Sequence, residues 1–155
     1  MHTLVKHIKS YLGIVLLSLF FILFGNQSIA DQSIEEIIKG RKALFSKNYN
    51  TAKRVQALSS KGDFDRAKEL MIEMSENYLT LLELFPENTQ EGFRTESLPI
   101  IWQEKDAFNA LMQKSSDNMI KLTSLIEDSD DIRATLREFM WSSCKACHSK
   151  YRMPH

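Results

Sequence analysis

Four stretches of this chain repeat apolar residues at helical spacing, and almost nothing in it reads as a strand. That pattern confines the fold to packed amphipathic helices. Glycine and proline, 5 and 3 in 155 residues, fall mainly where those helices should stop. The first helix is expected from Ser33, because Ser33-Ile34-Glu35-Glu36 has capping-box spacing. Ile34, Ile37, Ile38, Arg41, Leu44, Phe45, Ala52, Val55 and Leu58 form its stripe, and it should end before Gly62. Gly40 is a weak point, costing roughly 0.5–1 kcal/mol relative to alanine, and a candidate for close approach by another group. The second helix should be capped by Asp63, carry Phe64, Ala67, Met71, Met74, Tyr78, Leu81, Leu82 and Phe85, and stop at Pro86. Pro86 to Ser97 is polar and long for a connection in a compact bundle, so it should wrap something. The third helix is expected from near Pro99, with Ile101, Phe108, Leu111, Met112, Met119, Leu122 and Ile126 on its stripe. Asp128-Ser129-Asp130-Asp131 ends it and caps the fourth, expected from Asp131 to Tyr151. Four such helices with short connections make an all-α, antiparallel four-helix bundle.

The fourth helix carries the chemistry. Its face Arg137, Met140, Trp141, Cys144, Cys147, His148, Tyr151 and Arg152 contains Cys144-Lys145-Ala146-Cys147-His148. C-x-x-C-H is the attachment pattern of a c-type haem: two thiols add across the vinyl groups, and the imidazole takes the iron from one side. Positions i, i+3 and i+4 share a helix face, so all three groups point at one macrocycle. The competing readings are a disulfide, a thioredoxin-like redox pair and half a zinc site. The chain has no βαβ pattern for the second, and His2, His7 and His155 do not supply ligands for the third.

Residues 1–30 read as a secretory signal peptide. Lys6 and Lys9 precede an apolar run from Tyr11 to Phe24, and Ser28-Ile29-Ala30 offers small residues for cleavage before Asp31. The run is short for a membrane span, which needs roughly 20 apolar residues. Export agrees with haem attachment outside the cytoplasm, in bacteria the periplasm. Residues 31–155 are one domain by length. The chain has 20 basic and 20 acidic residues; without Lys6 and Lys9 the balance is near −2. No basic patch favours nucleic acid as a partner. No nucleophile–base pair is available either, so no enzyme activity is expected.

Several residues carry two readings. Met71, Met74, Met112, Met119 and Met140 are read as core, although any could in principle ligate iron. Met153, five residues beyond His148, should stay on the same side of a haem as that histidine. Arg41 interrupts an apolar stripe. It either snorkels, with its stem on the core edge, or pairs with a haem propionate, and the two readings stay open. Trp102 and Trp141 read as core or haem-packing residues.

With the motif ending a four-helix pattern, residues 31–155 resemble the class II c-type cytochromes, the cytochrome c′ family. Ile37 to Phe45 is similar to the family's first-helix segment, in which an arginine stands four residues before a distal haem residue. Thr95-Glu96-Ser97-Leu98-Pro99-Ile100-Ile101-Trp102 resembles T-x-A-L-P-x-I-W at the start of its third helix, with serine at position 97 for the usual alanine. Phe108 follows in the expected place, and Cys144 to Arg152 resembles C-x-A-C-H-x-x-[FY]-R.

The resemblance implies one covalent haem c on Cys144 and Cys147, with His148 as its iron ligand. It implies that Arg152 brings positive charge beside the proximal pocket, Arg41 lies near a propionate, Phe45 stands over the open iron face, and the Leu98–Trp102 segment packs along the haem edge. Two functions follow. One is a periplasmic protein that binds a diatomic gas, nitric oxide or carbon monoxide. The other is a six-coordinate, low-spin electron carrier with a methionine ligand; low-spin relatives take it from the first helix, where this chain has Phe45, so here Met71 or Met74 of the second helix would have to reach the iron. A third class is an assembly protein whose motif holds no haem. Periplasmic redox proteins are implied partners. A homodimer through the first two helices is also implied, although no sequence patch is diagnostic of it.

Overall fold

A computed structural model describes residues 33–154; the signal-peptide reading, cleavage before Asp31 and His155 lie outside them. Helix α1 spans Ile34–Ser59 and has the expected capping box. The Glu36 amide donates to Ser33 Oγ at 3.2 Å, and the Ser33 amide donates to the Glu36 carboxylate at 2.9 Å. The helix stops as expected. Gly62 takes φ +77°, and the Gly62 and Asp63 amides turn back to the Ser59 and Leu58 carbonyls at 3.1 Å. Among the described residues nothing approaches Gly40 closely: a Cβ there would meet no atom within 4 Å.

Helix α2 spans Phe64–Leu82. Asp63 precedes it but does not cap it with its side chain; the carboxylate pairs with Arg66 at 3.3 Å instead. The chain leaves the helix before Pro86 and makes a single 3-10 turn, Glu87–Thr89, inside the long polar connection. The third helix, expected to be continuous, is two: α3 (Ile100–Gln103) and α4 (Lys105–Leu125). Glu104 sits between them at φ −121°, ψ 45°. Local propensity gives way there to tertiary contacts, because Trp102 and Lys105 on either side both donate to the Phe85 carbonyl.

The fourth helix is also divided, into α5 (Ile132–Leu136), a π turn (Arg137–Trp141) and α6 (Ser142–Tyr151). Asp131 caps α5 as expected, accepting from the Ala134 amide at 3.0 Å. In the π turn the Ser142 amide reaches back five residues to the Arg137 carbonyl. The hydroxyls of Ser142 and Ser143 donate to the Glu138 and Phe139 carbonyls in the same stretch. Arg137 is exposed and lines a surface groove with Trp141 of the same assigned face.

Helix α2 packs most extensively on α4 and then on α1, and the divided fourth helix lies mainly on α4. The expected helical bundle is the fold; among the described residues there is no strand, only one antiparallel bridge between Ser97 and Arg152. Met71, Met74, Met112, Met119 and Met140 are fully buried core residues. Asn77 to Asn48 at 2.9 Å, Ser75 to Ser116 at 2.7 Å and Asn118 to Ser143 at 3.0 Å tie α2 to α1, α2 to α4, and α4 to α6. No helix among the described residues is long and apolar enough to cross a membrane.

Candidate haem site

At one end of the bundle the helices diverge around a cavity of about 560 Å³. Arg41 and Phe45 of α1, Phe85 beyond the end of α2, Thr95 to Ser97 of the connection, Ile101 of α3 and Phe108 of α4 line one part of it. Cys147, His148, Tyr151 and Arg152 line the other. Five residues singled out from sequence, Arg41, Phe45, Cys147, His148 and Arg152, therefore meet at one cavity. Cys144 and Trp102 are not among its lining residues.

Both cysteines are free thiols and partly buried, so the disulfide reading fails. Burial raises both thiol pKa values, Cys147 to about 11; the neighbouring Cys144 adds to that rise and Arg152 opposes it. Cys144 Sγ lies 3.9 Å from the Tyr78 hydroxyl, itself held protonated first by burial and then by that sulfur. These thiols are protonated at neutral pH, and no group of three or more metal-ligating side chains occurs among the described residues. The half-zinc reading therefore gains no support. Met153 is exposed and does not line the cavity.

Arg41 does not snorkel. Its side chain is 1% exposed, and its guanidinium is what the polar connection wraps. One terminal nitrogen donates to the Leu84 carbonyl at 3.2 Å and Thr89 Oγ1 at 2.8 Å; the other donates to the Thr89 carbonyl at 2.8 Å and Thr95 Oγ1 at 2.7 Å. The guanidinium carbon sits 4.6 Å from the Phe85 ring centre and 5.7 Å from that of Trp102. Burial lowers its pKa to about 10, which leaves it charged at neutral pH. Trp102 stands behind this arrangement, its Nε1 donating to the Phe85 and Pro86 carbonyls at 3.1 Å. The Pro86–Ser97 segment was expected to wrap something; an arginine in an apolar stripe, followed by Thr89 and Thr95 in a polar connection, was the signal for what. Phe85, read from spacing only as the last residue of a core stripe, is a wall of the cavity.

The sequence profile of the family described as Cytochrome C' matches residues 36–152. The chain belongs to the cytochrome c′ family. It is 27% identical over 120 residues to the cytochrome c′ of Rhodopseudomonas palustris, covering 76% of this chain and 82% of that one. Among solved structures, cytochrome c′ from Rubrivivax gelatinosus has a TM-score of 0.65 at 27% identity, covering 78% of this chain and 98% of that one. The nitric oxide complex of a variant of cytochrome c prime from Alcaligenes xylosoxidans has a TM-score of 0.67 at 22% identity, covering 80% and 99%.

Cytochromes c′ carry one covalently bound haem c, and the residues here fit it. Two thiols and an imidazole lie within the last two turns of α6. The rings of Phe45, Phe85 and Phe108 give the cavity an apolar wall. Arg41 and Arg152 also line it, and the Nε of each is a buried donor without a partner among the described residues. Two such donors suit the carboxylates that an otherwise apolar macrocycle carries. Cys144 and Cys147 would hold the haem, His148 would ligate its iron, and the two Nε groups would meet its acidic edge.

Proposed function

We propose that the chain is a periplasmic, mono-haem cytochrome c′ with five-coordinate iron, which binds nitric oxide or carbon monoxide and exchanges electrons with periplasmic redox proteins. The observation that carries the gas-binding reading is that none of the methionines among the described residues lines the cavity, whereas Phe45 does. The haem would supply an iron that His148 would ligate and that a small gas could bind. Phe45 has no lone pair to offer iron, so it fills space and excludes water. Ser46 and Tyr49 bring hydroxyls to the cavity from α1, whereas the Lys42 ammonium and the terminal nitrogens of Arg41 are committed elsewhere. Lys42 Nζ donates to the Arg94 carbonyl at 2.9 Å, and the terminal nitrogens of Arg41 donate into the connection. Nitric oxide needs no polar partner beside the Phe45 ring.

The role is binding and electron transfer, without nucleophilic or acid–base catalysis. Export follows from residues 1–30, and self-association through α1 and α2 is open to measurement by sedimentation. Absorption and electron paramagnetic resonance of the ferric protein test the coordination: a mainly high-spin signal is expected, and a low-spin signal with a methionine–iron charge-transfer band at neutral pH refutes it. Phe45→Met is the complementary test. It should move the iron toward low spin and slow gas binding.

A further inference from the structure

We infer that Phe85 is the backstop of Phe45: a ring held on several sides that limits how far the Phe45 ring can retreat, and so sets how fast a diatomic ligand reaches the iron. The inference rests on the gas-binding reading above and assigns a rate-determining part to a residue outside the haem-attachment motif.

The two rings meet edge to face, with centroids 6.3 Å apart and planes at 65°. Both line the cavity, Phe45 half-buried and Phe85 3% exposed. Phe85 is fixed in a way that Phe45 is not. Its ring packs at 4.7 Å on Phe108 and 5.9 Å on Trp102, and the Arg41 guanidinium carbon lies 4.6 Å from its centre. Phe108 is in turn braced by Tyr151 at 5.2 Å. The Phe85 backbone is pinned too, its carbonyl accepting from Trp102 Nε1 at 3.1 Å and Lys105 Nζ at 2.8 Å. In a close-packed interior a ring moves only where its neighbour yields. Along α1, Phe45 has the buried Arg41 one turn before it and Tyr49, 55% exposed, one turn after it. Retreat toward Phe85 is blocked, and the path that remains leads toward Tyr49 and solvent. Shortening Phe85 removes the ring that Phe45 meets edge to face and so opens a second path, with Phe45 and His148 themselves unsubstituted.

The test uses the reduced holoprotein and stopped-flow mixing with carbon monoxide or nitric oxide, comparing Phe85→Ala with the parent. Association should accelerate at least tenfold. Phe85→Leu is the fallback should the alanine variant fold poorly, with a smaller acceleration in the same direction. A lower urea midpoint with an association rate within twofold of the parent would mean a merely structural ring, and the inference falls. A second readout does not depend on gas. With 4-fluorophenylalanine at position 45, the fluorine line of the ferric holoprotein should show added exchange in Phe85→Ala; an unchanged line overturns the inference. If the parent iron proves to carry a sixth protein ligand, gas uptake will be independent of gas concentration. That sinks the five-coordinate reading, and the fluorine line still decides for Phe85.

Discussion

Replacing Arg41 with methionine keeps an unbranched stem in the core and removes the charged fork. The structure gives the size of the effect. Two carbonyls, of Leu84 and Thr89, lose their guanidinium donors, and the Thr89 oxygen is buried with its donor. Each unsatisfied acceptor costs about 1–3 kcal/mol. The two threonine hydroxyls suffer less, since Thr89 Oγ1 also donates to the Pro86 carbonyl at 2.8 Å. Loss of the stacking on Phe85 and Trp102 adds about 1 kcal/mol. Against this, the variant no longer buries a cation, which offsets a few kcal/mol. The net expectation is a loss of about 2–4 kcal/mol in urea unfolding of the holoprotein, read from the midpoint at constant slope. Amide exchange should locate the damage: protection should fall first in residues 87–95, which the guanidinium holds against α1. Arg41→Lys should recover only part of the loss, because an ammonium cannot span four acceptors from one planar group. A methionine variant within about 0.5 kcal/mol of the parent, with residues 87–95 still protected, would refute this account of the connection.

Four further outcomes are expected. Gly40→Ala should stabilise the protein by roughly 0.5–1 kcal/mol, since the site is helical and a Cβ meets nothing there; destabilisation in a thermal melt would contradict it. In Cys144→Ala with Cys147→Ala, expressed where c-type cytochromes mature, acidic acetone should extract any haem, whereas haem should stay with the parent protein. Intact mass of the exported parent should show a chain starting at Asp31 plus one haem, and recovery of a membrane-bound form retaining Met1 would count against cleavage. Ser33→Ala should cost about 0.5–2 kcal/mol by breaking the capping box, a loss checked by urea unfolding.

How legible the sequence was depended on the range of the interaction. The α1 cap at Ser33, the stop at Gly62 and the Asp131 cap are set by residues within a few positions of each other, and spacing located all three. Spacing misled where side chains or backbone found partners that periodicity does not encode, some distant and some local. Glu104 breaks the third helix where Trp102 and Lys105 turn to the Phe85 carbonyl. The π turn at Arg137–Trp141 breaks the regular α-helical spacing expected there. Asp63 has the right type and place for a cap yet spends its carboxylate on Arg66. At the cavity, the thiols and imidazole were readable because their chemistry needs a fixed local spacing. Phe85 was not, because nothing local distinguishes a ring that backs a cavity from one that fills a core.

Arg41 also explains how a cavity can persist at an end of the bundle where the chain is not helical. The segment that walls it, Thr95 to Ser97, cannot hold its own position by helix hydrogen bonds. It is held from both sides instead. On one side Thr95 accepts from Arg41 of α1. On the other the chain pairs with the end of α6: the Leu98 amide donates to the Tyr151 carbonyl at 3.0 Å and the Met153 amide to the Glu96 carbonyl at 2.8 Å. The contacts thus run from α1 through the connection to the residues that follow the haem-attachment motif. Arg152, bridged to Ser97, lines the cavity as Arg41 does, and the Nε of each is without a partner among the described residues. A carboxylate at these donors would join the two ends of the path, so binding there and ordering of the 86–97 segment should stabilise one another. Loosening Arg41 should accordingly be felt at Cys147 and His148.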